Sequence, residues 1–245
     1  MAKTVLITGG SGKVGKQLVN HFSDNGFKVV FTSRTEENIE KVKNGRDNVI
    51  GIKLDLLDND SVAGILSSLE KNNIEVNYLI NNARCLDFLK TEKDGFIKRE
   101  NWLNEYLIDV VIPYELSIKL AEKMPLKKII NIASIYGVVT FNPNLSGSDY
   151  KPTMQYSCAK AALIHLTKEL AVKLADKNIQ VNSISFGGIE GRVDEEFKEK
   201  YAKLCPQKRM MAEEEVIGSV DFLVSEKSIY ITGQNIIIDG GWCVW

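Results

Sequence analysis

The run Thr4-Val5-Leu6-Ile7-Thr8-Gly9-Gly10-Ser11-Gly12-Lys13-Val14-Gly15 decides the architecture. Its first five residues are short, apolar and β-branched, as expected of a parallel strand buried on both faces. Glycines come next. Val14, Leu18, Val19 and Phe22 then recur on one helical face, and Asn25-Gly26 supplies a stop. Lys28-Val29-Val30-Phe31-Thr32 reads as the next strand. Strand, glycine turn, helix and strand within about thirty residues make a βαβ unit that binds a dinucleotide. The glycines let backbone N–H groups at the helix N-terminus approach a pyrophosphate. Gly9, Ser11, Gly12, Lys13, Val14 and Gly15 are therefore the expected phosphate-side residues.

The residues just beyond the second strand select the dinucleotide. An acidic residue there would bond the ribose hydroxyls of NAD and repel a 2′-phosphate. This chain has Ser33-Arg34. A guanidinium grips phosphate through two parallel hydrogen bonds, and a serine adds a third. Lys13 is expected to bring a second cation to the same end. The reading is NADP in preference to NAD.

The alternation continues with strand Val49–Leu54, Asp55-Leu56 at its end, helix 59–71, strand Val76–Ile80 and then Asn81-Asn82-Ala83. A long helix over 100–123 is interrupted by Pro113, and strand Lys128–Ile132 precedes Ala133-Ser134. After a further helix come strand Gln180–Ile184, helix 212–224 and strand Asn235–Ile238. Seven strands separated by helices imply an α/β fold: one doubly wound, parallel, seven-stranded sheet, in a single domain spanning residues 1–245. Ligands in such sheets bind beyond the carboxyl ends of the strands. The glycine turn, Ser33-Arg34, Asp55, Asn82-Ala83, Ser134 and Gly187–Ile189 all fall there.

The composition narrows the partners. With 31 basic and 32 acidic residues, nothing favours nucleic acid or an anionic membrane. No apolar run is long enough to span a bilayer, and no signal-peptide layout opens the chain. Cys85, Cys158, Cys205 and Cys243 are scattered, with only His21 and His165 beside them. They read as reduced thiols of a cytoplasmic protein without a structural metal.

Chemistry enters at Gln155-Tyr156-Ser157-Cys158-Ala159-Lys160, on a helix marked by Ala159, Leu163, Leu166 and Leu170. Tyr156 and Lys160 are four apart and share a face. A cation about 4 Å from a phenol is worth up to about 4 kcal/mol at an effective dielectric of about 20. That is enough to ease proton transfer at neutral pH. His165, five residues beyond Lys160, falls off that face and reads as a packing or surface residue.

Together these segments resemble the short-chain dehydrogenase/reductase superfamily, in its compact single-domain branch, across nearly the whole chain. The matching segments are the glycine turn, Asp55, Asn81-Asn82-Ala83, Ile130-Asn131-Ile132-Ala133-Ser134, Tyr156-x-x-x-Lys160, Val181-Asn182-Ser183-Ile184-Ser185 and the ending Tyr230-Ile231-Thr232-Gly233-Gln234…Asp239-Gly240-Gly241. The resemblance implies an oxidoreductase that interconverts a carbonyl and a secondary alcohol. Ser134 would hydrogen-bond the reacting oxygen, Tyr156 would pass the proton, and Lys160 would hold the nicotinamide ribose and assist Tyr156. Asp55 would receive the adenine amino group, Asn81 and Ala83 would line the adenosine side, and Ile189 would present its backbone to the carboxamide.

Several positions depart from the family pattern. Lys13 takes a glycine slot, in a spacing nearer the epimerase and dehydratase branch, and Arg84 stands where glycine usually follows Asn-Asn-Ala. Asp109 stands where the family places the asparagine that organises a proton-relay water. With that water on the main-chain carbonyl, Asp109 would keep the relay as a catalytic residue, while its carboxylate would weaken the pull of Lys160 on Tyr156. Phe186 replaces a proline, and Gly191 a threonine. These departures motivate an alternative, an NADP(H)-binding sensor or scaffold with little turnover. A sugar epimerase ranks last, because such enzymes usually carry an extra substrate domain.

The long polar span Gly137–Met154 suggests a lid over a hydroxyl-rich substrate such as a sugar or nucleotide sugar. With the Trp242 ending it resembles members acting in bacterial surface-sugar (sialic-acid-like) biosynthesis. Glu190–Leu204 is expected to be a flap. Helices 101–123 and 154–176 are the family's dimer face. The apolar Trp242-Cys243-Val244-Trp245 is expected at a second interface of a homotetramer.

Overall fold

The computed structural model describes residues 2–145, 153–191 and 193–244. Seven parallel strands form one sheet in the order β3-β2-β1-β4-β5-β6-β7. They are β1 (Thr4–Ile7), β2 (Lys28–Ser33), β3 (Val49–Lys53), β4 (Tyr78–Asn81), β5 (Lys128–Ser134), β6 (Gln180–Phe186) and β7 (Asn235–Ile238). The fold is the doubly wound one expected.

Strand residues alternate between two apolar layers. Leu6, Val30, Leu79, Ile129 and Val181 face one side, packed on α3 (Ser61–Lys71), α5 (Ile112–Lys123) and α6 (Met154–Lys173). Val5, Ile7, Val29, Ile80, Ile130 and Ile184 face the other, packed on α1 (Lys13–Asp24), α2 (Glu36–Lys43) and α8 (Val216–Val224). Because helices cover both faces, the strands read as unbroken apolar runs. Strand order reverses between β1 and β4, which opens a crevice at their carboxyl ends. No helix among the described residues is long and apolar enough to cross a membrane.

Two elements differ from expectation. Helix α2 is an addition to the predicted elements, since it buries only Ile39 and Val42 and so leaves little periodicity. Its local signals are nonetheless present. The Thr35 side chain accepts from the Asn38 N–H, Glu36 and Glu37 open the helix, Lys41 and Lys43 close it, and Asn44 caps it in the left-handed region.

The expected 100–123 helix is α4 (Arg99–Tyr106), a wide π-turn over Leu107–Val111, and then α5. Pro113 sits in the first turn of α5. It has no N–H to give the carbonyl of Asp109, so the backbone widens at that point, a distortion frequent at functional sites. Asp109 lies inside the π-turn.

Candidate active site

A cleft of about 860 Å³ lies over the carboxyl ends of the strands. Every expected cofactor-side residue from the glycine turn through Ile189, except Asn81, lines it, and so do Ser134, Tyr156 and Lys160. Asp109 does not reach it.

The turn fits a phosphate. Gly9 adopts φ +65°, and a Cβ there would stand 2.8 Å from the Ala83 Cα. A Cβ on Gly15 would fall onto the Gly9 carbonyl oxygen. Helix α1 can therefore begin close beneath the turn only with glycine there. The β4 end is fastened to the same turn. The Thr8 hydroxyl accepts from the N–H groups of Asn82 at 3.0 Å and Ala83 at 3.1 Å, and the Asn82 amide donates to the Thr8 carbonyl at 3.0 Å. These contacts fix the crevice before any ligand arrives.

At the other end, α6 carries Tyr156 and Lys160, both nearly buried. A buried chain of side chains ties α6 to the sheet. Asn81 donates to Asn131 at 2.8 Å, Asn131 to Thr167 at 2.9 Å, and Thr167 to the Leu163 carbonyl at 2.9 Å. The Asn81 side chain therefore turns inward, so any part it has on the adenosine side falls to its backbone. The Ser134 hydroxyl oxygen accepts from the Tyr136 N–H at 3.2 Å, which leaves its own proton to be given to a ligand.

The ammonium of Lys160 donates to Asp109 Oδ1 at 2.8 Å and to the Ile132 carbonyl at 3.0 Å, and stands 5.7 Å from the centre of the Tyr156 ring. A different cation lies nearer that ring, the Arg84 guanidinium, 4.6 Å from its centre. Asp109 Oδ2 and Asn81 Oδ1 are buried without a partner among the described residues. Their residues, with Lys160, line a separate cavity of about 10 Å³. Its lining mixes the polar Thr8, Asn81, Asp109 and Lys160 with apolar side chains, and it is about the size of one water.

One buried acid escapes a reading of the sequence. Glu105, in α4, has no exposed surface, and both carboxyl oxygens lack a partner among the described residues. Burial, with Asp109 beside it, pushes its carboxyl up to about 7. Burial also raises Asp109, against the pull of Lys160. Glu105 falls four residues before Asp109, a spacing that could have flagged it. The polar surroundings of α4 (Arg99-Glu100-Asn101 and Asn104) make it look solvated instead.

Other expectations need correction. Lys13 does not join Arg34, because its ammonium reaches the Ile189 carbonyl at 3.4 Å and Glu213 at 3.5 Å. Ser33 is buried, with its hydroxyl 2.8 Å from that of Ser11, so Arg34 is the exposed cation at this end. Asn38, outside the expected set, lines the cleft beside them.

Helix α7 (Glu195–Leu204) is anchored where a free flap is expected. Tyr201 is buried, accepts from the Gly188 N–H at 2.9 Å and stacks on Trp242 at 4.4 Å. Trp242 is thus covered within its own chain. His165 is exposed and paired with Glu169, as the helix face implies. The central part of the expected lid, residues 146–152, and Trp245 lie outside the described residues.

Comparison with known proteins agrees with this geometry. A family profile described as enoyl-(acyl carrier protein) reductase matches residues 11–243. A short-chain dehydrogenase of Leptospira borgpetersenii, solved with bound NAD+, is 30% identical, superposes with a TM-score of 0.87, and covers 99% of this chain and 93% of its own. The chain is a short-chain dehydrogenase/reductase. A 3-oxoacyl-(acyl-carrier-protein) reductase of Buchnera aphidicola is 31% identical over 98% of this dehydrogenase/reductase and 96% of itself. The post-translational flagellin modification protein A of Campylobacter coli is 27% identical over 98% of each chain. This dehydrogenase/reductase is accordingly an oxidoreductase of the nicotinamide-dependent type, acting between carbonyl and hydroxyl groups.

Proposed function

We propose that this enzyme uses NADP(H) to interconvert a carbonyl and a secondary alcohol on a polar, sugar-like substrate. The observation that carries the reading is one cleft holding the glycine turn and Arg34 at one end and Ser134, Tyr156 and Lys160 at the other. A bound nicotinamide would supply or take up the hydride. Ser134 would donate its free proton to the substrate oxygen, Tyr156 would give or take the reacting proton, and Lys160 would hold the ribose hydroxyls. The water-sized cavity behind Lys160 offers a path for the proton from the interior.

The case for NADP rests on Arg34. Its nearest carboxylate, Asp87, stands 3.9 Å away, with both side chains exposed. Such a pair contributes little, and a phosphate can displace it. Titration of intrinsic fluorescence should show NADPH binding about tenfold tighter than NADH, with the preference gone in Arg34→Ala. Tighter binding of NADH would overturn the cofactor reading.

The sugar-like substrate is supported by the polar composition of Gly137–Met154 and by likeness to the flagellin modification protein. A second reading, cofactor binding with little turnover, is favoured by the hold of Asp109 on Lys160. A measured rate with any carbonyl substrate comparable to ordinary reductases would dispose of it.

The cysteines are free, as a reducing cytoplasm requires. Leu103, Tyr106, Val111 and Tyr114 are exposed along α4, the π-turn and α5. An apolar stripe of this kind fits self-association. Light scattering should give a dimer or tetramer, with Leu103→Glu shifting it toward monomer; a wild-type monomer would refute the assembly.

A further inference from the structure

Four cations line the cleft among the described residues, and three already face carboxylates. Lys13 has Glu213 at 3.5 Å, Arg34 has Asp87 at 3.9 Å, and Lys160 has Asp109 at 2.8 Å. Arg84 has no carboxylate partner among the described residues, although its guanidinium lies 4.6 Å from the centre of the Tyr156 ring. Glu105 and Asp109 are near enough to feel its charge but do not contact it.

The backbone beneath Arg84 is fixed, because Asn82 and Ala83 are both pinned to Thr8. A guanidinium resting on an aromatic face is held by the ring's negative surface, and its N–H edge stays available for an anion. That edge is positioned by the very ring whose hydroxyl would meet the reacting oxygen. An anion gripped there would lie within a few bonds of the reacting carbon. Among the described residues of the cleft, one positive charge lacks a carboxylate contact, which matches a carboxylate ligand. A phosphate monoester would bring about −1.5 to −2 charges to the same place.

We infer that Arg84 is a substrate-binding residue that clamps a carboxylate close to the reacting carbonyl, so that the substrates are oxo acids and the corresponding hydroxy acids. The inference rests on the oxidoreductase reading above and narrows its substrate class. A sugar acid would satisfy both.

The test pairs acids with their uncharged esters. Wild-type enzyme with NADPH is assayed on acetoacetate against ethyl acetoacetate, and on 2-oxobutyrate against its methyl ester. The same pairs are titrated into the enzyme–NADP+ complex by calorimetry. A charge-assisted bidentate contact predicts a preference for the acids of roughly tenfold to a hundredfold. In Arg84→Gln the acid-to-ester ratio should collapse toward one, and Arg84→Lys should restore part of it. NADPH affinity, measured separately, should be unchanged.

Wild-type enzyme that handles esters as well as acids would overturn the clamp and leave the oxidoreductase reading intact. Loss of NADPH binding in Arg84→Gln would assign the arginine to the cofactor instead. If NADPH binds but no acid or ester in the panel is turned over or bound, the oxidoreductase reading falls and the clamp falls with it.

Discussion

Tyr156→Phe is expected to lower turnover by about a thousandfold, within the range that a positioned proton donor contributes, while NADPH binding stays close to that of the parent. The substitution removes one oxygen and keeps the ring. The packing of α6 and the resting place of the Arg84 guanidinium are preserved, so a loss of activity reports the lost proton and not a lost fold. No neighbour is placed to take over. The Lys160 ammonium is already held by Asp109 at 2.8 Å and by the Ile132 carbonyl at 3.0 Å. Ser134 can polarise a carbonyl, but its proton is needed for that hydrogen bond. Single-turnover rates with a substrate the wild type accepts, beside a fluorescence titration with NADPH, measure both halves of the expectation. Equal rates for the two proteins would remove Tyr156 from the chemistry. The family placement would then describe only the fold and the cofactor.

How far the sequence reaches is visible in this same corner of the molecule. Strand composition, the glycine turn and the alternation of elements specify the sheet, because each is a local pattern repeated along the chain. The last strand, Asn235–Ile238, has the boundaries its composition predicts. Tyr156 and Lys160 are legible because four residues on a helix define a face. What escapes depends on contacts distant in sequence. Asp109 and Lys160 are 51 residues apart, and that Asp109 holds the ammonium can be suspected from sequence but not located. Arg84 and Tyr156 come from a loop and a helix that only the folded chain brings together. Lys13 departs from its expected end of the cofactor because a helix N-terminus does not reveal which way a long flexible side chain leans. In the structure it reaches Ile189 and Glu213, far along the chain. Glu105 is hidden for a related reason. A glutamate among polar neighbours reads as solvated, and only the packing of α6 and the π-turn against α4 shows that it is buried.

Glu105 also yields a pH-dependent prediction. Its carboxyl titrates near 4.5 in an unfolded chain and is pushed to about 7 in the fold, where burial is the larger cause and Asp109 the next. Between those values the folded protein keeps a proton that the unfolded chain has released, so folding is favoured at the acid side. The contribution is fully present below about 4.5 and is lost as the pH climbs through 7, the reverse of an ordinary salt-bridged carboxylate. The displacement corresponds to about 3 kcal/mol. The charged groups bearing on the site are Asp109 in the π-turn, Lys160 on α6 and Arg84 on the loop after β4. Glu105→Gln keeps the shape and cannot ionise. Near pH 5 it should melt close to the wild type. Near pH 8.5 it should melt higher, by about 6–12 °C for a chain of this size. Subtracting one protein's melting curve from the other's cancels the titrating groups that do not feel Glu105, and leaves in the difference only Glu105 and its neighbour Asp109. Ionisation of Glu105 adds one negative charge to the cluster that Asp109, Lys160 and Arg84 form beside Tyr156. The pH profile of turnover should therefore show a step near 7 that Glu105→Gln removes. A melting difference that stays constant from pH 5 to 9, together with superimposable rate profiles, would mean that Glu105 keeps one protonation state throughout and plays no part in tuning the site.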